Sequence, residues 1–384
     1  MDEGLYKNTV MGMKLHDGRA AFGIKGGTNG GLRGRGAGLN PEGRFESTRR
    51  EAVDGDWAPG SAEDGDPLPP LRTTVTREEA KSILTRNDSP DIPFSWSINP
   101  YRGCEHGCIY CYARPSHAYL DLSPGLDFET RLFAKVNAAL LLQEALARPG
   151  HEVDTIALGA NTDPYQPVER EYRITRSVIE VLADCRHPFA IVTKNALVLR
   201  DLDLLAPLGA ARLCRVFISI TTLDAGLARH LEPRASAPAR RLEAVRALKD
   251  AGVPVGVMVA PVIPFLTDDS VERILEASAE AGAEAAAYVL LRLPYEIKGL
   301  FQDWLERHYP LKAEHVMQRM RAMRGGREND PRFGSRMVGD GTLAALLRQR
   351  FEKALRRFGM GSERMPLDGS QFRPPALGGQ QRLF

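Results

Sequence analysis

The chain contains 384 residues, of which 43% are hydrophobic and 26% are charged, and its formal net charge at pH 7 is +2. A chain of this length can bury a sizeable core in one large domain or two average ones. The small net charge gives no support for a protein that wraps a polyanion, although it is compatible with local basic patches.

Residues 1–70 differ from the rest of the chain because they show neither helical nor strand periodicity. A block rich in Gly and Arg at 25–43 is followed by an acidic block at 51–66. This composition predicts a flexible N-terminal arm. The glycines lack the preceding strand and the closing Gly-Lys-Ser/Thr of a phosphate loop, and the basic block is more typical of a solvated tail than of a nucleic-acid contact.

From about residue 92, short apolar runs alternate with longer segments of helical character. The predicted strands are residues 94–102, 155–160, 189–193, 215–221, 255–261 and 286–293. The predicted helices between them are residues 129–147, 174–184, 201–208, 240–251 and 269–281. Apolar strands joined by helices indicate a parallel sheet that is covered on both faces. The sequence therefore predicts an α/β fold, a partial (β/α)6 TIM-like barrel with its functional groups at the C-terminal ends of the strands.

The barrel is predicted to form a core domain over residues 90–330. Further helical segments, among them 314–324 and 343–358, predict a helical C-terminal extension over 331–371. Residues 372–384 are predicted to form a flexible tail because they are rich in Pro and Gly.

The five cysteines are too few and too unevenly placed for a disulfide framework. Three of them crowd together, which favours a reducing compartment and a metal or redox role. Cys185 and Cys214 stand alone in apolar stretches and are predicted to be small buried hydrophobes. The N-terminus lacks the apolar run of a signal peptide, and the apolar stretch 253–263 is too short to cross a bilayer. These features predict a cytoplasmic protein without a membrane partner.

The cysteine triplet follows the first predicted strand. Cys104, Cys108 and Cys111 are spaced C-x₃-C-x₂-C. Thiolates are the usual ligands of iron–sulfur clusters, and three ligands on a tight loop leave one iron open for chemistry. The alternative is a structural zinc site with His106 or His117 as the fourth ligand. The spacing favours the cluster because structural zinc sites pair two ligand halves a dozen or more residues apart, and the sequence has no second half.

Polar residues interrupt or close successive predicted strands, and in a barrel such positions face the mouth or the lumen. They are Asn161, Thr162, Asp163, Lys194, Ser219 and Thr221. Any one of them is as typical of a cap or a turn, but together they favour a site. Arg292 closes the sixth strand and is predicted to meet an anionic substrate, with a surface salt bridge as the alternative.

The cysteine motif with an aromatic residue before its last cysteine, here Tyr110, resembles the motif of the radical S-adenosylmethionine (SAM) superfamily. The predicted partial barrel resembles the fold of that superfamily. Segments 34–46 (GRGAGLNPEGRFE), 98–117 (INPYRGCEHGCIYCYARPSH) and 161–171 (NTDPYQPVERE) resemble a bacterial subfamily of the spore photoproduct lyase-like branch, which is often labelled DNA repair photolyase. The resemblance spans about residues 34–330.

The resemblance implies two cofactors, a [4Fe–4S] cluster on the three cysteines and SAM on its open iron. It implies reductive cleavage of SAM to a 5′-deoxyadenosyl radical that abstracts hydrogen from a substrate. An electron donor such as flavodoxin or ferredoxin would supply the reducing equivalent. The resemblance also implies contacts to SAM: Tyr110 near the adenine, Asn161, Thr162 or Asp163 at the amino group, Lys194 at the carboxylate, and Ser219 as a further polar contact.

The resemblance to the lyase itself is incomplete. The lyase depends on a hydrogen-donating cysteine near the end of the second strand, where this chain reads ALGANTD. Tyr112 matches a lyase tyrosine implicated in hydrogen transfer and is the predicted catalytic residue, with packing of the loop as the alternative. The resemblance therefore supports the radical mechanism rather than a photoproduct substrate.

The last five residues, QQRLF, carry a separate motif. Gln380, Leu383 and Phe384 fit a Q-x-x-L-F pattern that resembles the bacterial sliding-clamp binding motif. A short peptide at the end of a tail can dock two apolar anchors into a pocket of a partner. The sequence thus predicts clamp binding as a hypothesis that is independent of the cysteine motif.

Three functions remain compatible with the sequence. The first is a radical SAM enzyme that acts on nucleic acid, as in DNA repair. The second is modification of tRNA, a protein or a peptide by the same radical. The third is a non-catalytic metal-stabilised module that links nucleic acid to a clamp.

Overall fold

The structure is a computed structural model that describes residues 34–45, 71–361 and 366–376. Within these ranges no helix combines the length and the hydropathy that a membrane span requires. The motif residues Gln380, Leu383 and Phe384 lie outside the described residues, as does most of the predicted arm. The predictions made for those residues therefore stay predictions.

A twisted parallel sheet forms the centre of the fold. The described residues contain ten strands: β1 (Thr74–Glu78), β2 (Leu84–Arg86), β3 (Trp96–Ile98), β4 (Tyr101–Arg102), β5 (Arg131–Lys135), β6 (Ile156–Leu158), β7 (Phe189–Thr193), β8 (Cys214–Ser219), β9 (Val255–Val262) and β10 (Ala285–Leu290). Seven of them form one sheet in the order β10-β9-β8-β7-β6-β3-β2. All neighbours in it are parallel except the antiparallel edge strand β2. The six parallel strands coincide with the six predicted ones, which confirms the predicted α/β partial barrel.

Helices connect the strands and continue beyond them. The α-helices are α1 (Asp127–Thr130), α2 (Ala138–Leu146), α3 (Glu169–Tyr172), α4 (Ile174–Asp184), α5 (Leu202–Ala210), α6 (Ala225–Leu231), α7 (Pro238–Asp250), α8 (Val271–Glu280), α9 (Ile297–His308), α10 (Pro310–Ala322) and α11 (Gly341–Arg357). Helix α4 has the predicted bounds, and α5, α7 and α8 shift by a few residues. Since these helices cover strands with fully apolar inner faces, the main core lies between sheet and helices, and it includes the buried Cys185 and Cys214.

The predicted helix over 129–147 is wrong in its first half. Residues 131–135 form β5, which pairs in parallel with β1 and antiparallel with β4 in a separate three-stranded sheet. Leu132 and Ala134 are fully buried, whereas the alternating residues Arg131, Phe133 and Lys135 are more exposed. This is the two-residue period of a strand. Tertiary pairing with β1, a strand that the sequence did not indicate, overrides the local helical character.

The predicted flexible arm over 1–70 is also wrong in part, because residues 34–45 pack against the core. Arg35 and Ala37 are buried, and the Asn40 side chain hydrogen-bonds the side chain of Asp127. We call residues 34–45 the N-terminal strap.

A pair of histidines lies before the strands of the barrel, on the side away from their C-terminal ends. His187 is fully buried, and its Nε2 lies 3.0 Å from Nε2 of His151, while the Phe372 ring packs against both imidazoles. Burial lowers the pKa of His187 to about 4, assisted by His151, against small opposing effects of the Pro188 carbonyl and Asp154. The folded state therefore favours neutral His187.

Acidification is expected to destabilise the protein through His187. Its pKa is lower in the folded than in the unfolded state, so this stability is present above pH 6.5 and is lost as the pH falls toward 4. Between pH 7.5 and 5.5 the loss is on the order of 1 kcal/mol. Denaturant titrations of wild type and His187→Gln should show a stability difference that shrinks over this range. A difference that does not change with pH would contradict a neutral, buried His187.

Candidate functional site

The three motif cysteines lie on one tight loop that follows β4 at the C-terminal ends of the strands. Gly103 and Gly107 adopt positive φ angles of 74° and 67°, and these left-handed conformations turn the loop twice. Backbone bonds from Gly107 N to Cys104 O and from Cys111 N to Cys108 O close the two turns, at 3.4 and 3.2 Å. All three thiols are free of disulfides, and those of Cys104 and Cys108 are buried. We call residues 103–113 the cluster loop.

A buried guanidinium holds the cluster loop from beneath. Arg114 is fully buried and donates to the carbonyl oxygens of Cys108 and Gly125 at 2.9 and 2.8 Å, and to that of Gly107 at 3.2 Å. It also pairs with the fully buried carboxylate of Glu129 at 2.5 Å. Both charges are buried away from water, so each needs the other for compensation. The pair therefore holds the loop in place only while both partners are present.

The same carboxylate fastens the N-terminal strap to the loop. Glu129 accepts the amide hydrogens of Gly36 and Ala37 at 3.0 and 2.8 Å, and its backbone oxygen accepts from Arg35 at 3.0 Å. Gly36 lies so close to the loop that an added Cβ would be 1.8 Å from the carbonyl oxygen of Gly107. Sequence reasoning missed this contact, and the only local signal was the glycine itself.

We expect Gly36→Ala to displace the strap from the cluster loop, because neither backbone can yield at 1.8 Å. The cost should be on the order of 1–3 kcal/mol, measured by denaturant unfolding. Gly38→Ala is the matched control, since its Cβ would meet only the mobile guanidinium end of Arg307. Equal stability of the two variants would contradict close packing of the strap.

The thiols fit an iron–sulfur cluster by their chemistry. Burial raises the pKa of all three, and the neighbouring thiols raise that of Cys104 further. A bound cation such as iron would offset the cost of burial and stabilise the thiolates. In the part of the chain that the structure describes, no three His, Cys, Asp or Glu side chains converge on a point as they would on a single metal ion.

The two histidines proposed for the zinc alternative bind elsewhere. His106 Nε2 lies 3.2 Å from the amide nitrogen of Asn195, and its Nδ1 lies 3.3 Å from the Asp163 carboxylate. His117 Nε2 contacts the carbonyl oxygen of Arg131 at 2.9 Å, and burial lowers its pKa to about 4. Both imidazoles are buried and contact other groups of the protein.

Asp163, from the predicted SAM amino-group motif, is engaged within the protein. Its carboxylate accepts from Thr193 Oγ1 and from the backbone nitrogens of Lys194 and Tyr165, at 2.7, 2.7 and 2.9 Å. Although burial alone would raise the pKa of Asp163, His106 and these hydrogen bonds lower it to about 2. The carboxylate thus links the ends of β6 and β7 to the cluster loop.

The other two residues of that motif line the same edge. The backbone nitrogens of Asn161 and Thr162 donate to the side-chain oxygen of Asn99 at 2.8 and 3.2 Å. The Thr162 hydroxyl donates to the carbonyl oxygen of Tyr101 at 3.1 Å. The Asn161 side chain has no hydrogen-bond partner among the described residues, so it is a candidate for contact with a ligand at the mouth.

A second buried network supports Tyr110. Its hydroxyl donates to Glu232, and the Thr221 hydroxyl donates to the same carboxylate oxygen at 2.6 Å. Arg241 pairs with Glu232 and also donates to the carbonyl oxygen of Ser219 at 2.9 Å. Burial opposes ionisation of Glu232, but Arg241 and Lys194 lower its pKa to about 2.

Lys194 brings a positive charge to this network. Its ammonium nitrogen lies 5.9 Å from the centre of the Tyr110 ring, and its charge acts on Cys108 and Cys111. Sequence reasoning found Tyr110, Lys194 and Thr221, but missed Glu232 and Arg241, which lie far from Tyr110 in sequence and carry no motif.

Tyr112 and Arg292 meet at the open side of the cluster loop. Tyr112 is half exposed, and its hydroxyl donates to the carbonyl oxygen of Ala160 at the end of β6. The guanidinium carbon of Arg292 lies 5.9 Å from the centre of the Tyr112 ring. The structure therefore brings predicted residues from the ends of four strands, β6, β7, β8 and β10, next to the cluster loop.

Comparison with known proteins agrees with this arrangement. Residues 98–277 match the family model of the Radical SAM superfamily. The uncharacterised protein Rv2578c of Mycobacterium tuberculosis is 40% identical over 233 residues, which cover 60% of this chain and 68% of the relative. The uncharacterised protein MJ0683 of Methanocaldococcus jannaschii is 27% identical over 242 residues, covering 63% and 86%.

Among solved structures, spore photoproduct lyase complexed with dinucleoside spore photoproduct has the same fold, with a TM-score of 0.53 and 18% identity. The match covers 74% of this chain and 80% of the lyase. A mutant of that lyase with bound AdoMet and the dinucleoside gives a TM-score of 0.51. The superfamily implies SAM and an iron–sulfur cluster as cofactors, and the three thiols on one loop have the donor chemistry for the latter. From its family match, its relatives and its cysteine loop, the chain belongs to the radical SAM superfamily of enzymes.

Proposed function

We propose that Cys104, Cys108 and Cys111 hold a [4Fe–4S] cluster and leave its fourth iron to SAM. The observation that carries the proposal is the loop itself, which brings three thiols free of disulfides together on two glycine turns. When bound, such a cluster would supply the electron that cleaves SAM to methionine and a 5′-deoxyadenosyl radical, which takes a hydrogen atom from the substrate.

The neighbouring residues are suited to orient SAM. Lys194 would supply a cation for the SAM carboxylate, and the Tyr110 ring, held by Glu232 and Thr221, is our candidate contact to the adenine. Asn161 and Ser219 offer polar contacts at the ends of β6 and β8. Because Asp163 and Thr221 already bond within the protein, we assign them to positioning Lys194 and Tyr110. Thr162 likewise fixes the loop through its bond to Tyr101.

Tyr112 is the proposed catalytic residue for hydrogen transfer. It follows the last cysteine directly, and its half-exposed ring faces the mouth. The end of β6, which reads ALGANTD, has no cysteine, and the Tyr112 hydroxyl binds the Ala160 carbonyl there. This contact supports Tyr112 as the hydrogen donor in place of a cysteine from β6.

Nucleic acid is the proposed substrate class, as in DNA repair. The fold is that of a lyase whose structure holds a dinucleoside, and Arg292 offers a cation at the mouth. We further propose flavodoxin or ferredoxin as electron donor, and a sliding clamp as partner of Gln380, Leu383 and Phe384. Modification of tRNA or of a peptide by the same radical is the second candidate.

The deciding experiment is transfer of deuterium from labelled substrate into 5′-deoxyadenosine. Holoenzyme would be incubated anaerobically with SAM, dithionite and either perdeuterated oligonucleotide or deuterated peptide. We expect deuterium in 5′-deoxyadenosine only with the oligonucleotide, and loss of product but not of SAM cleavage in Tyr112→Phe. Deuterium from the peptide alone would contradict the nucleic-acid assignment.

A further inference from the structure

Three arginines lie together beyond the end of β10. Burial lowers the pKa of Arg292, and the nearby charge of Arg336 lowers it further. Burial likewise lowers the pKa of Arg324 to about 10, with a contribution from Arg292. Arg292 is therefore repelled by the guanidinium groups of both Arg324 and Arg336 in a region that is shielded from water.

Among the described residues, only Arg336 of the three has a carboxylate partner. Arg336 donates to Asp91 at 2.5 Å and to the Ser89 hydroxyl. Arg324 is 1% exposed and donates to backbone oxygens, including that of Leu290 at 3.4 Å. Asp330, whose charge also acts on Arg324, forms an ion pair with Arg332 and accepts a hydrogen bond from the Ser335 hydroxyl.

Arg292 is the arginine of the three with the fewest hydrogen-bond partners among the described residues. Among the described residues it has no carboxylate partner; its Nη1 lies 3.7 Å from the sulfur of Met337, and its buried Nε has no acceptor. The charged or titratable groups that face it are Arg324, Arg336, Asp91 and Tyr112. A half-buried guanidinium with spare donors and excess positive charge around it is a site for an anion.

Exposed aromatic rings flank the arginines. Tyr112, 50% exposed, lies 5.9 Å from the guanidinium carbon of Arg292, and Phe333, 60% exposed, lies 4.5 Å from that of Arg336. Paired rings and cations are the components with which proteins bind single-stranded nucleic acid, since bases stack on the rings and phosphates meet the cations. A carboxylate ligand would use the cations but not the rings.

We propose that Arg292, supported by Arg336, binds a phosphodiester of a single-stranded segment of the substrate, and that Phe333 stacks a neighbouring base. The subsite lies beside Tyr112 and so would set which nucleotide reaches the cluster loop. It rests on the proposed function in that it takes nucleic acid as the substrate class, and it adds the strand state and the residues that bind it.

The test is binding of a fluorescein-labelled single-stranded oligonucleotide to holoenzyme at several salt concentrations. Arg292→Gln should weaken binding at least tenfold and reduce the slope of log K against log salt by about 0.7, the value for one lost phosphate contact. The affinity of Arg292→Lys for the oligonucleotide should fall between those of wild type and Arg292→Gln. Phe333→Ala should weaken binding without changing the slope.

Arg212→Gln is the matched control, because it removes the same charge from an exposed arginine just before β8, at the opposite end of the barrel. It should leave affinity and slope unchanged. Equal losses in Arg212→Gln and Arg292→Gln would overturn the proposal, as would unchanged oligonucleotide binding in Arg292→Gln. Circular dichroism melting of each variant confirms that it is folded.

Two further measurements separate this proposal from the proposed function. Equilibrium dialysis with SAM should give the same affinity in wild type and Arg292→Gln; a parallel loss of SAM binding would assign the guanidinium to SAM and overturn the subsite. Reductive SAM cleavage, measured on the same preparations, reports the radical chemistry independently. Cleavage without any oligonucleotide binding would overturn the subsite and the nucleic-acid assignment but not the radical chemistry, and binding without cleavage would overturn the chemistry alone.

Discussion

Replacing Cys108 by alanine is expected to abolish cluster assembly and reductive SAM cleavage. Cys108 is one of three thiols on the cluster loop. Without it, two iron atoms of the cluster would have no protein ligand, instead of the single iron that is left to SAM. After anaerobic reconstitution, bound iron should fall from about four atoms per chain to near zero. Iron analysis, ultraviolet–visible absorption and chromatography of 5′-deoxyadenosine measure the three consequences.

Cys214→Ala provides the matched control. Cys214 is an equally buried free thiol, but it lies in β8 within the main core. This variant should lose some stability and retain its iron and its cleavage activity. Full iron loading in Cys108→Ala, or equal loss in both variants, would contradict the assignment of the cluster to the loop.

Replacing Glu129 by glutamine is expected to cause a large loss of stability. The substitution leaves Arg114 fully buried without a counter-charge, and removes an acceptor from either the strap or the guanidinium. Breaking a buried ion pair costs roughly 3–5 kcal/mol. Because Arg114 also holds the carbonyl oxygens of the cluster loop, the variant should lose iron faster in air as well.

The comparison for this change is Glu284→Gln, which breaks the exposed pair with Lys249. An exposed pair contributes at most about 1 kcal/mol, so this variant should unfold close to wild type in denaturant titrations. Similar stability of the two variants would contradict the role of Glu129 as the anchor of strap and loop. Unchanged iron retention in Glu129→Gln would also contradict this role.

The sequence predicted those parts of the fold that local pattern determines. The strand at residues 189–193 and the helix at residues 174–184 have the predicted bounds, because an apolar run and an amphipathic period are each complete there. Residues 131–135 were predicted as helix because their pairing with β1 depends on a strand more than 50 residues away. No local period reports such a partner.

The same contrast between local pattern and distant partners applies to the candidate site. The cysteines, Tyr110, Lys194 and Tyr112 were found because they belong to a motif or close a strand. Their supports were missed: Glu129 binds the strap across 92 and 93 residues, and Glu232 binds Tyr110 across 122 residues. Gly36 was assigned to a flexible arm because a glycine-rich block looks the same whether it is solvated or pressed against another backbone.

The most direct test of the central claim is reductive cleavage of SAM by the full chain. The protein would be reconstituted anaerobically with iron and sulfide, reduced with dithionite and incubated with SAM, and the products would be separated by chromatography. We expect methionine and 5′-deoxyadenosine in equal amounts, both absent from Cys108→Ala. A fully iron-loaded, reduced wild type that leaves SAM intact would contradict the account.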